Sequence, residues 1–359
     1  MNFSPVNIIH ILIIWQSLLF AVVLATPAYN KNKSNLFLSL LLLTLAVHFS
    51  YNLLYTNGLF LDVLPRYSCS YGFLYGPLFY LYIQFYLEKD AKLDKWRWLH
   101  FVPFFGILVV TAFGYKICKW AGFFIFPAML AYAFFSFREL ALYSRTIPHV
   151  SSKSVSSEIK WLKTLSVFML VIVLLDLLAA QIHIINIFNI NVKVEVVVQT
   201  GILLFVSLIN YQGLKNPRPY QQISESDIAL SKASELKVPM AKTDKQALQD
   251  LAASLDQFMT ETRPYLNPDL NINTLAFNLG VTEKTLSQTI NSIMGANFSD
   301  YINSYRIEFV RQKLEEDKDR SMSIKEVMYE AGFNSRSVFN TAFKKKTGLT
   351  PSEYQKYHQ

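Results

Sequence analysis

The amino-acid sequence predicts an all-α fold in two parts: a seven-helix transmembrane bundle followed by a soluble helical domain with two helix-turn-helix units. Three observations carry that expectation. Hydrophobic residues make up 52% of the 359 residues and charged residues only 17%, a balance tilted away from ordinary soluble domains. The charges are also unevenly placed: residues 1–211 hold 15 basic and 8 acidic side chains, and residues 212–359 hold 19 basic and 18 acidic. After Pro268, finally, one pattern of apolar and glycine positions occurs twice, with Gly280 and Gly332 at equivalent places.

The formal net charge of +8 does not by itself point to nucleic acid. The first part carries +7 and the second only +1, so the basic excess belongs mainly to loops beside a membrane, where Lys and Arg set orientation. Any DNA-binding reading needs a local motif. The two cysteines, Cys69 and Cys118, are too few and too separated for a zinc site, and no metal or cofactor is expected. The N-terminus begins with an apolar run and lacks the basic start and small-residue cleavage site of a signal peptide.

A bilayer core of ~30 Å needs about 20 apolar residues in a helix. Seven stretches meet or approach that length, near 6–26, 35–55, 69–87, 98–115, 119–137, 162–183 and 194–211. A buried soluble core is the competing explanation, but so many apolar runs would leave that core no polar surface. The first, third and fifth loops carry Lys31 and Lys33; Lys89, Lys92, Lys95 and Arg97; then Arg138, Arg145, Lys153 and Lys160. The second, fourth and sixth carry Arg66; Lys116 and Lys119; then Lys193. By the positive-inside rule the odd loops face the cytoplasm, the N-terminus lies outside and the C-terminus inside. Trp96, Trp98 and Trp120 fall at expected span ends, where interfacial aromatics sit, and Pro77, Pro103 and Pro127 fall within spans or near their starts.

Polar side chains within spans are functional candidates by default. Asp176 is the sharpest: it could contact a ligand, form a helix–helix switch, or make a structural hydrogen bond inside the bundle. His48 and His183 are further sensing candidates, with an interfacial placement as the plainer alternative. Cys69 and Cys118 both fall at the outer face and could form a disulfide there.

Beyond the transmembrane domain, 1–211, residues 212–243 read as a flexible or partly ordered linker, with Asn216-Pro217-Arg218-Pro219 followed by a polar stretch. Residues 244–263 return to helical spacing, with Leu248, Leu251, Leu255 and Phe258 on one face. That helix could dimerise or pack onto the domain that follows, residues 264–359.

In that domain Ile272, Leu275, Gly280, Leu286 and Ile290 form one series, and Ile324, Val327, Gly332, Phe339 and Phe343 a second. Each reads as a short helix, a glycine turn and a second helix; glycine suits a chain that leaves a helix with positive φ. Ser323 with Glu326 makes a capping box, and Thr350-Pro351-Ser352-Glu353 supplies cap, first-turn proline and reciprocal Glu for a final helix. Phe298, Tyr301, Ile302, Tyr305 and Phe309 mark a connecting helix between the units.

Residues 264–357 resemble the DNA-binding domain of AraC/XylS-type bacterial regulators. The resemblance is carried by Leu275-Ala276-Phe277-Asn278-Leu279-Gly280-Val281, by Phe298-Ser299-Asp300-Tyr301-Ile302-Asn303 with Arg306, by Ser323-Ile324-Lys325-Glu326-Val327 with Ala331-Gly332-Phe333, and by the run from Phe343 to Tyr354. More loosely, seven spans ahead of such a domain are similar to membrane-bound members of that family. The resemblance implies double-stranded DNA as partner and two recognition helices entering the major groove. The first, Glu283 to Asn291, would present Lys284, Ser287, Gln288 and Asn291. The second, Ser335 to Lys345, would present Arg336, Ser337, Asn340, Thr341 and Lys344. Arg can pair with guanine, and Asn or Gln with adenine; Lys344, Lys345 and Lys346 would mostly meet phosphate. This chain departs from the family at Gln288 and Thr341, where many members carry Arg, and at Asn291-Ser292, where a basic pair is common. The implied protein is a one-component sensor in the bacterial cytoplasmic (inner) membrane, multi-pass, with its C-terminal domain in the cytoplasm. Membrane lipid, a small-molecule or envelope signal and a homodimer are its further candidate partners.

Two other function classes compete. A transporter or receptor could use the tail only as a DNA or protein anchor, though no convincing internal repeat supports transport. An enzyme is not expected, since no phosphate-binding loop, zinc-spaced His/Glu set or nucleophile elbow occurs. A retinal photoreceptor would want a lysine deep in the last span, where only Lys193 at its start is available.

Overall fold

The computed structural model describes residues 4–27, 29, 33–59, 68–89, 91–115, 117–152, 156–185, 191–215, 222–235, 242–317 and 322–357. The side chains of His183, Cys69 and Cys118 lie outside the described set, and with them the sensing role of that histidine and the disulfide. Among the described residues the chain is all-α, without strands and with an isolated antiparallel bridge between Ser151 and Asn271. Contacts divide it into two units: Met1–Ala141 with Glu158–Gln222, and Leu142–Ser157 with Ile223–Gln359.

The apolar part is built from α1 (Pro5–Ala25), α2 (Lys33–Thr56), α3 (Gly72–Leu87), α4 (Lys95–Trp98), α5 (Val102–Ala112), α6 (Cys118–Val150), α7 (Ser156–Ile185) and α8 (Asn191–Lys215). Four of these contain stretches long and apolar enough to cross a membrane: Pro5–Ala25, Lys33–Thr56, Trp120–Val150 and Ile159–Leu178; Val196–Gln212 is apolar but shorter. The third and fourth expected spans are helical but broken. A 3-10 turn at Ser68–Tyr71 precedes the 16 residues of α3. Another at Leu99–Phe101 separates α4 from α5, and Pro103 sits in the first turn of α5, where its missing N–H costs no helical hydrogen bond.

The first unit buries apolar residues such as Ile13, Leu42 and Phe79, yet it also turns large apolar side chains outward and polar ones inward. Along α1, Leu12, Trp15, Leu19 and Val22 are exposed, whereas Asn7, His10, Ser17 and Ala21 are buried. In a lipid surround, apolar residues would lose nothing by facing outward, and small or polar ones would gain by letting helices approach and bond. Thus the Ser39 hydroxyl donates to the Ala21 carbonyl at 3.1 Å and that of Ser207 to Gln16 Oε1 at 3.0 Å. Gly76 of α3 faces Tyr132 of α6 so closely that a Cβ there would lie 2.7 Å from the ring. His48 is half-buried between helices: its Nδ1 lies 2.5 Å from the Tyr75 hydroxyl, and its ring stacks on Tyr71. Asp176 stands on an exposed side of α7.

The second unit contains α9 (Glu225–Glu235), α10 (Lys242–Thr262), α11 (Ile272–Asn278), α12 (Glu283–Ser292), α13 (Phe298–Glu316), α14 (Ile324–Glu330), α15 (Arg336–Thr347) and α16 (Pro351–Tyr357). Within the stretch expected as linker, α9 starts on a reciprocal cap: Ser224 N–H donates to Asp227 Oδ2 at 2.7 Å and Asp227 N–H to Ser224 Oγ at 3.2 Å. The buried face of α10 is Leu248, Ala252, Leu255 and Met259. Leu251 and Phe258, expected at its centre, are half-buried at its edge, because the helix rolls Ala252 and Met259 inward as it packs on α12. Of the two roles open to this helix, packing onto the domain that follows is the one observed.

Candidate nucleic-acid interface

Each half of the second unit positions one short helix by the same local chemistry. In the first half, Asn271 caps α11 by accepting from Thr274 N–H at 2.9 Å, and Thr282 caps α12 by accepting from Thr285 N–H at 3.1 Å. Gly280 turns the chain between them at φ +67°. In the second half, Ser323 and Glu326 form the expected capping box ahead of α14, and Gly332 turns at φ +83° into α15. The reciprocal cap of α16 is present too, from Thr350 N–H to Glu353 Oε2 at 2.7 Å and from Glu353 N–H to Thr350 Oγ1 at 3.3 Å. Those hydrogen bonds hold the Glu353 carboxyl below the usual carboxylate range.

The core faces of the two helices are apolar. Leu286 and Ile290 of α12 are fully buried. Phe339 and Phe343 of α15 join Val310, Leu314, Val327, Phe333 and Tyr354 in one cluster. Their polar faces differ. On α15, Arg336, Ser337, Asn340, Thr341, Lys344, Lys345 and Lys346 are all exposed, giving an outward surface of +4 from Arg336 to Lys346. Thr341 uses its hydroxyl proton internally, donating to the Ser337 carbonyl at 2.8 Å. Lys345 pairs with Asp300 of α13 at 3.0 Å; both partners are well exposed, so salt and solvent screen the pair and leave the ammonium available.

On α12, Lys284 is exposed and Gln288 and Asn291 are half-buried, but Ser287 is only 4% exposed. The expectation that Ser287 faces outward is therefore corrected. Asn291 Nδ2 donates to the Ser287 carbonyl at 2.7 Å, and α9 packs against α12 together with α10, α11 and α13. Ala229 and Leu230 of α9 form one wall of a groove whose other wall includes Asn273, Phe277 and Lys284. The sequence held one signal for α9, the spacing Ser224-Glu225-Ser226-Asp227, which matches a capping box with Asp in the Glu position.

Arg306 of α13 ties the halves together. It is 1% exposed. Its Nε donates to the Tyr265 carbonyl at 2.7 Å and its Nη2 to the Asn267 carbonyl at 2.8 Å. The guanidinium carbon lies 5.6 Å from the centre of the Phe333 ring, beside the second turn. Burial lowers this guanidinium to about 10, so it stays charged at neutral pH.

Residues 275–357 match the family described as a helix-turn-helix domain. Among curated proteins, the chain is 34% identical over 92 residues to an HTH-type transcriptional regulator in the cgkA 5′ region of Pseudoalteromonas carrageenovora, covering 26% of this chain and 52% of that protein. It is 32% identical over 92 residues to the transcriptional regulatory protein YesN of Bacillus subtilis, over 25% of this chain and 24% of the relative. A third similarity, 30% over 89 residues, is to Histidine kinase P4 of Formosa agariphila, covering 25% of this chain and 6% of that protein. The chain thus spans about half of the first relative and far less of the other two. A solved structure of a protein of unknown function from Listeria innocua aligns over 30% of this chain and 96% of its own length, at 28% identity and a TM-score of 0.26. In each curated case the similarity covers about a quarter of this chain, and together with the family match it makes the C-terminal region a helix-turn-helix domain of the kind carried by DNA-binding transcription regulators.

Proposed function

We propose that this protein is a membrane-tethered, sequence-specific transcription regulator that couples a signal sensed at the membrane to gene expression. The observation that carries the reading is the outward row Arg336, Ser337, Asn340, Thr341 and Lys344 along α15, held in place by a buried aromatic face. Side chains at that spacing can enter a major groove, where Arg336 would read guanine and Asn340 adenine. Lys344, Lys345 and Lys346 would bind phosphate and release counterions. The first helix contributes Lys284, Gln288 and Asn291, with Ser287 reached only if its packing changes. The four long apolar helices support a place in the membrane; the full reading has seven spans, the N-terminus outside and the DNA-binding unit in the cytoplasm. His48 and Asp176 are the sensing candidates among the described residues.

The test is genome-wide cross-linking of the full-length protein in its native cell, with Arg336→Ala as the control. Discrete sites that weaken or vanish in the variant are expected. Absence of enrichment in a protein shown to be in the membrane would favour a transporter or receptor with an anchoring tail.

A further inference from the structure

The segment that follows α6 has an unexpected set of partners. Ser151 and Ser152, 1% and 2% exposed, belong by their contacts to the DNA-binding unit. Ser151 forms the antiparallel bridge with Asn271, the residue that caps α11. Ser152 donates to the Leu270 carbonyl twice, from its hydroxyl at 2.6 Å and from its N–H at 3.3 Å. Arg306 then donates to Ser152 twice, from Nη2 to the hydroxyl at 3.1 Å and from Nη1 to the carbonyl at 3.4 Å. One buried guanidinium therefore gathers the loop before the first helix-turn-helix unit, the turn of the second, and a loop from the apolar part of the chain.

We infer that the α6–α7 loop is the coupling strap of the regulator: Ser151 and Ser152 complete the Arg306 hub and so set how the two helix-turn-helix units are held relative to each other. The inference deepens the proposed function and rests on it. A guanidinium as buried as this one cannot lose partners without cost, because water does not reach it to replace them. Withdrawing the strap must therefore rearrange Tyr265–Asn271 or the Phe333 turn. The strap is also mechanically connected. Helix α6 is continuous from Cys118 to Val150, so axial displacement of its apolar stretch is delivered at Ser151. Lys153 in the loop and Arg145 and Lys160 in the helix ends flanking it assign it, by the positive-inside rule, to the same side of the membrane as the C-terminus. The docked strap is the DNA-competent state, since it fixes the spacing of α12 and α15; undocking frees that spacing.

The deciding measurement is hydrogen exchange on the full-length protein in lipid nanodiscs, comparing wild type, Ser152→Ala and Ser152→Thr. Peptides covering 264–275 and 329–336 should exchange at least about ten-fold faster in Ser152→Ala, and Ser152→Thr should restore protection; unchanged exchange in Ser152→Ala overturns the inference. A second arm does not depend on that variant. Bridge partners in an antiparallel pair stand within disulfide reach, so Ser151→Cys with Asn271→Cys, in a Cys69→Ala, Cys118→Ala background, should cross-link under mild oxidation. Failure to cross-link with both thiols reactive also overturns it. The last arm measures affinity for a duplex recovered by the cross-linking experiment, where Ser152→Ala should bind about ten-fold more weakly, a loss of about 1.4 kcal/mol. Faster exchange with unchanged affinity overturns the strap as a coupling element. Failure of the wild type to bind any duplex overturns the proposed function instead, while exchange and cross-linking still judge the strap contact.

Discussion

Gly280 and Gly332 occupy equivalent places in their units, and both have left-handed φ, yet they carry different loads. A Cβ at Gly280 would meet nothing within 4 Å, whereas at Gly332 it would stand 2.7 Å from the Leu266 carbonyl oxygen and 2.9 Å from that of Tyr265. Gly280→Ala should therefore cost only the left-handed conformer, about 1–2 kcal/mol. Gly332→Ala adds overpacking against rigid backbone and should cost about 3–4 kcal/mol in all. Thermal unfolding of the two variants side by side checks the ranking; equal losses would contradict it. The shared turn role of these glycines was legible from their spacing. The close approach at Gly332 was not, because the carbonyls it accommodates belong to a loop far upstream that no local pattern connects to it. Arg306 is similar: its place in the family motif was readable, but its partners come from three separate stretches of chain.

At the scale of helices, α15 and α12 should behave differently. Lys344→Ala should weaken binding about equally on all sequences and lower the salt slope by about 1, whereas Asn340→Ala should relax preference at one base position at a cost of about 1–3 kcal/mol. Salt titration and a competition assay on mutated sites separate the two. On α12, Lys284 borders a groove closed from the other side by α9, and Leu230 of α9 is buried. DNA approaching α12 has to displace or accommodate that helix. Leu230→Asp should therefore raise affinity for the duplex, and Gln288→Ala should cost more in that background than in the wild type; unchanged affinity would mean that α9 is no obstacle. Helices α12 and α15 with their apolar faces, and the caps of α14 and α16, could be read from residue spacing, since each depends on neighbours within a turn or two. The exact roll of α10 and the docking of α9 could not. Both are settled by which surface of α12 is free, a tertiary fact that leaves little trace in a polar stretch such as 212–243.

For the molecule as a whole, the division into an apolar and a polar part was evident from where the charges stand, and the apolar stretches recur as helices α1 to α8. Hydropathy alone did not anticipate the breaks in the third and fourth, because a 3-10 turn changes helix length without changing composition. Topology reporters fused after Leu87, Ala112, Val150 and Gln359 test the seven-span reading. The fusions after Leu87, Val150 and Gln359 should report cytoplasm and that after Ala112 the outside; cytoplasmic signal from all four would leave α5 uncrossed. The bridge between Ser151 and Asn271 bears on a different question, that of whether the helix-turn-helix domain could work after being cut loose. Proteolysis anywhere between α8 and α9 would liberate a piece that begins too late to include Ser152, so Arg306 would face a missing neighbour in every freed copy. Amputation would thus imitate one position of the switch permanently, and by the logic of the hub it would be the silent one.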